Sequence, residues 1–100
     1  MTFVYEQELK DYMKKKGKHN IIVEMVTSDS SDFEISELHV YLADQKQVDF
    51  FRTKKRYRSV ETEEGLVLLP PFPLELEEKV VFGLKSFWFL HWVKYQGIRI

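Results

Sequence analysis

The sequence contains no cysteine. Disulfides, cysteine nucleophiles, thiol redox chemistry, thiolate zinc sites and cysteine-ligated iron–sulfur clusters are thereby excluded together. Glycine and proline are scarce, four and three in 100 residues, and the glycines lie far apart. No glycine-rich phosphate loop can be drawn from them. Long apolar runs are also missing: the aromatic-rich stretch Phe87–Val93 is interrupted by His91 and is far too short to span a bilayer. Net charge is nearly absent, since 15 Lys and Arg against 16 Asp and Glu leave −1. Global attraction to nucleic acid or anionic lipid is not expected, although a local patch remains open. Met1–Val4 leads straight into Glu6, Glu8 and Lys10, so no apolar secretory core is visible. A cytoplasmic protein without a membrane partner is the expectation.

What is present suits one domain over residues 1–100, with 44% hydrophobic and 15% aromatic residues to build a core. Tyr5, Leu9, Tyr12, Met13 and Lys16 fall on one helical stripe, with Glu6 and Glu8 at its start and Lys14, Lys15 and Lys16 at its end. That pattern predicts a helix over Tyr5–Lys16, stopped by Gly17 in a left-handed conformation. The β-branched run Asn20–Val26 predicts a strand covered on both faces. Thr27–Asp32 reads as a polar loop. Leu38, Val40 and Leu42, alternating with Glu37, His39 and Tyr41, predict a strand with one buried face. Phe50–Glu61 alternates as a strand or two short strands, and Leu66–Leu69 returns beside it as a hairpin. Pro70-Pro71-Phe72-Pro73 breaks regular structure. Lys79–Leu84 and Val93–Ile100 predict strands, the second bent or bulged at Gly97. Ser86–Val93 has too little period to choose among helix, strand and buried turn. The fold class is α+β: one N-terminal helix packed on a compact antiparallel or mixed sheet. Leu9, Met13, Ile21, Val23, Leu38, Val40, Leu42, Leu66, Leu68, Val80, Phe82 and Ile98 are the expected core.

No arrangement in the sequence points to a catalytic, cofactor-binding or metal-binding residue. His19, His39 and His91 lie in different elements without ligand spacing, and surface or packed roles are expected for each. No nucleophile elbow surrounds Ser28, Ser30, Ser31 or Ser36. Asp29, Asp32 and Glu34 place three carboxylates in six residues, but without the spacing or central glycine of a calcium loop. Arg52–Arg58 holds five positive charges in seven residues. On a strand, Arg52, Lys54, Arg56 and Arg58 would share one face at intervals of about 6.6–6.8 Å. They are the candidate anion contact, with Phe51 or Tyr57 available to stack on a base. A solvated face paired with Glu61, Glu63 or Glu64 is the favoured alternative, so nucleic-acid binding is not expected. Four aromatics at Phe87, Trp88, Phe89 and Trp92 are expected to be mostly core, with one or two reaching a partner or a second copy.

Several segments resemble the small bacterial HesB-like (seleno)proteins. Asp11–Lys18 followed by Ile21–Val26 resembles their lysine-rich helix end and following strand. Glu64-Gly65-Leu66-Val67-Leu68 resembles their glycine-led strand, and Gly83–Phe89 through Gly97-Ile98-Arg99-Ile100 resembles their aromatic segment and terminal Gly-Ile pair. The resemblance runs in order along nearly the whole chain and implies the fold of A-type iron–sulfur carriers. The redox motif it implies would fall at Thr27–Asp32, where hydroxyls and carboxylates replace thiolate or selenolate, and Val93–Ile100 lacks the carriers' terminal thiols. Such oxygen groups do not substitute for soft ligands. The expectation is a cofactor-free, non-enzymatic scaffold or protein-interaction domain, with a protein partner or homodimer. An anion- or nucleic-acid-binding module is the alternative.

Overall fold

The computed structural model describes residues 1–29 and 32–100. The elements are β1 (Thr2–Tyr5), α1 (Gln7–Lys16), β2 (Asn20–Asp29), β3 (Glu34–Ala43), α2 (Gln45–Thr53), β4 (Arg58–Glu61), β5 (Leu66–Leu69), β6 (Glu75–Phe87) and β7 (Leu90–Arg99). They form two mixed sheets. One has the order β1-β6-β7 and the other β3-β2-β5-β4. Each contains one parallel pair, β1 with β6 and β2 with β5, and its remaining neighbours are antiparallel. The fold of the described residues is therefore α+β, with two helices rather than one.

Helix α1 begins at Gln7 because Thr2–Tyr5 pairs with Lys79–Phe82, and the Glu6 N–H donates to the Phe82 carbonyl at 2.9 Å. A four-residue strand with no turn signal after it merges into the helical stripe in the sequence. The other end of α1 agrees with the reading: Gly17 is left-handed at φ 67 and its N–H reaches the Lys14 carbonyl. Leu9 and Met13 bury fully or nearly so, beside Tyr5, Ile21, Val23, Val67, Leu69, Val80, Phe82, Val93 and Ile98. This main core joins α1 to residues of both sheets. A second cluster, Ile22, Ala43, Val48, Phe51, Tyr57 and Leu68, packs α2 on the opposite face of β2 and β5. Leu38, Val40, Leu42 and Leu66 are only half-buried, since β3 lies at a sheet edge and Leu66 opens β5.

Helix α2 replaces part of the strand expected over Phe50–Glu61. Asp44 accepts from the Gln47 N–H at 2.9 Å, and Gln47 Oε1 accepts from the Asp44 N–H at 3.0 Å. This reciprocal capping starts the helix, and Val48 and Phe51, three residues apart, fix its buried face. The hairpin of β4 and β5 forms as expected. Its turn leaves no room for a side chain at Gly65, where a Cβ would overlap the His19 carbonyl oxygen. Strand β2 continues through Asp29, so Thr27, Ser28 and Asp29 belong to a strand rather than a loop. Ser30 and Ser31 lie outside the described residues. Opposite Gly97, the β6–β7 register shifts between Leu76 and Val81, matching the expected irregularity. Among the described residues no helix is long and apolar enough to cross a membrane.

Candidate contact site at the hairpin tip

Strands β6 and β7 form a hairpin closed by Trp88 and Phe89, with Phe87 opposite Leu90. In this antiparallel pairing, directly opposed residues share a face. Phe87, Leu90, Lys85 and Trp92 therefore stand on one side, and Ser86 and His91 on the other. The tip is apolar and open to solvent: Trp88 is 80% exposed, Phe89 85%, Phe87 62% and Leu90 60%. Phe87, Trp88, Phe89 and Trp92 are thus not core residues, contrary to the expectation from their size. Trp88 also has φ 58. A left-handed residue in a two-residue hairpin turn is usually Gly or Asn, and an indole there strains the backbone. The rings contact one another edge-on, Phe87 with Trp88 at 6.2 Å and Trp88 with Phe89 at 6.5 Å between centroids.

Behind the tip, α1, β3 and β7 enclose a cleft of about 310 Å³. Tyr12, Lys16, Lys18, Tyr41, His91 and Trp92 supply its polar and aromatic lining, with Val40, Leu42 and Val93. His91 Nδ1 is hydrogen-bonded to Ser86 Oγ at 2.7 Å, and its ring lies 5.1 Å from that of Tyr12. Lys16 Nζ sits 5.6 Å from the Tyr12 centroid and Lys85 Nζ 5.9 Å from that of Trp92. The Tyr41 hydroxyl donates to Glu24 Oε1 at 2.7 Å. Burial, and then the neighbouring carboxylate, push the Tyr41 phenol well above its ordinary pKa. Among the described residues no carboxylate lines the cleft. The arrangement presents apolar area beside hydrogen-bond donors and cations, and the Ser86–His91 contact is its one hydroxyl–imidazole pair among the described residues.

The basic segment is divided among three elements rather than aligned on one strand. Arg52 belongs to the last turn of α2, Lys54 caps it, Arg56 is left-handed at φ 58 and Arg58 opens β4. The cause is Tyr57. Its N–H closes the helix on the Phe51 carbonyl at 2.9 Å. The buried Tyr57 ring packs edge-on against Phe51, and its hydroxyl accepts from the Met25 N–H. Alternation from Arg52 to Arg58 therefore does not describe this segment. Among the described residues, Lys55 pairs with Glu24 at 3.4 Å, and no ion pair joins Arg52, Lys54, Arg56 or Arg58 to Glu61, Glu63 or Glu64. In the β4–β5 register Arg58 faces Leu69 and Glu61 faces Leu66, which separates the basic and acidic ends.

His19 and His39 are exposed, and His39 lies 3.3 Å from Glu37 on its own strand. Asp29 faces Glu34 across the β2–β3 ladder. Among the described residues no group of three His, Asp or Glu is close enough to hold a metal ion. Sequence reasoning missed the cleft because its lining comes from segments far apart along the chain. It misplaced the tip because it equated aromatic bulk with burial. No known protein family, curated protein or solved structure gives a match to this chain.

Proposed function

We propose that the chain is a non-enzymatic contact domain on a HesB-like scaffold without a cluster, and that the β6–β7 tip is its contact surface. One observation carries this reading. Four consecutive large apolar residues, Phe87–Leu90, are exposed at a hairpin tip whose turn is Trp88-Phe89, whereas a hairpin turn held only for folding favours small polar residues. Exposed apolar patches of this kind mark interaction sites on folded domains. The absence of thiols from the chain supports a scaffold that works by contact. Site-specific photocrosslinking tests the surface. A benzophenone side chain at Phe89 should give defined adducts in cells, whereas the same group at the exposed Phe72 or Phe50 should not. Equal labelling from all three positions overturns the reading.

A second reading places anion binding at Arg52, Lys54, Arg56 and Arg58. It is supported by their exposure and by the lack of ion pairs to them among the described residues. Against it, lysine and arginine at the end of α2 are accounted for by the helix dipole.

A further inference from the structure

The tip is convex, apolar and edged with positive charge, and each property narrows what it can meet. Residues 79–100 contain Lys79, Lys85, Lys94 and Arg99 and no acid, although the whole chain carries a net charge of −1. The ladder puts Lys85 on the same face as Phe87, Leu90 and Trp92, and its ammonium lies over the Trp92 ring. Lys16 and Lys18 line the cleft beside His91 and Trp92 at the base of the same tip. Cations therefore flank the apolar surface, and the acids that meet this hairpin do so away from its tip, Glu6 with Lys94 at 3.4 Å and Glu75 with Arg99 at 3.1 Å.

We infer that this tip docks on an anionic lipid surface, with Phe87, Trp88, Phe89 and Leu90 entering the interface and Lys16, Lys18 and Lys85 meeting the headgroups. The inference rests on the contact-domain reading above and names its partner. Trp and Phe beside lysines suit the boundary between headgroups and acyl chains, where apolar area and anionic attraction add. A protruding turn needs no complementary pocket in a fluid bilayer, whereas a protein partner would have to supply a cavity for it. The contact is peripheral: the apolar tip is four residues long, far short of the ~9–11 residues with which one strand crosses a bilayer. The left-handed Trp88 fits this role, because it places an indole at the apex where turn chemistry alone would put glycine.

The test uses vesicles of phosphatidylcholine alone and of equal parts phosphatidylcholine and phosphatidylserine. Wild type should cosediment with the anionic vesicles and show a blue-shifted tryptophan emission. Binding to neutral vesicles should be weaker, and salt should weaken the anionic binding. The double variant Trp88→Gly, Phe89→Ser should bind about tenfold less or worse. It is expected to fold, since glycine relieves the left-handed position, and an unchanged or raised melting temperature verifies this. Lys85→Glu should lose about tenfold on anionic vesicles and little on neutral ones. Absence of wild-type binding overturns the lipid partner. If sedimentation equilibrium then shows self-association that the double variant lacks, the tip contacts a second copy and the contact-domain reading stands without the lipid. Equal vesicle binding by wild type and the double variant removes the tip from the lipid contact and overturns the inference.

Discussion

Tyr41 shows how one side chain ties stability to pH. Its phenol is half-buried and donates to Glu24. Burial, then the carboxylate, raise its pKa above the ordinary 10.0. Tyr5 is raised too, mainly by burial, although its bond to Thr62 opposes the shift. In both cases the folded state holds the proton more tightly than the unfolded chain. The resulting stability is complete below about pH 10 and is lost as pH rises through the folded values. Urea denaturation should show a midpoint that falls as pH rises above about 10, and Tyr41→Phe should flatten that fall. An identical slope in the variant would remove Tyr41 from this account. Elsewhere among single residues, Leu9 and Val23 have no exposed surface. Leu9→Ala should cost about 2–4 kcal/mol and Val23→Ala somewhat less. Unchanged urea midpoints for both would mean that these side chains do not bear on the core.

The elements differ in how plainly the sequence announces them. Helix α1 is legible because Leu9 and Met13 recur at helical spacing and Gly17 stops it. Helix α2 is not, because the alternation of charge from Arg52 to Arg58 suggests a strand and hides the buried pair Val48 and Phe51. Its one clear signal is Asp44 followed three residues later by Gln47, a capping box. Asp44→Ala should therefore lower stability by about 1 kcal/mol, read from the urea midpoint, and no loss would mean that packing alone holds the helix start. The hairpin tip carries no turn residue at Trp88 or Phe89, so nothing local distinguishes strand, helix and turn over Ser86–Val93. Its exposure is settled by the pairing of β6 with β7, which composition does not encode. The scattered basic residues give a further expectation. With no single charged face, wild type should bind an oligonucleotide weakly and lose that binding steeply toward physiological salt. Tight binding at that salt, abolished by Arg56→Glu with Arg58→Glu, would restore the anion-binding alternative.

At the scale of the molecule, the α+β class follows from the sequence, whereas the division into two sheets depends on long-range pairing. The composition makes one chemical expectation firm. Anaerobic reconstitution with iron and sulfide should leave no visible absorption band and no stoichiometric iron, because the chain offers no thiolate. A retained stoichiometric cluster would sink the cluster-free scaffold. The parallel pairing of β1 with β6 carries a different consequence. Thr2–Tyr5 finds its partner only at Lys79–Phe82, so β1 leaves a ribosome well before the strand it pairs with. The antiparallel β2–β3 ladder is local and can form early, whereas closing β1 onto β6 requires the longest loop of the fold. During synthesis β1 therefore waits with its edge unpaired until β6 has followed it.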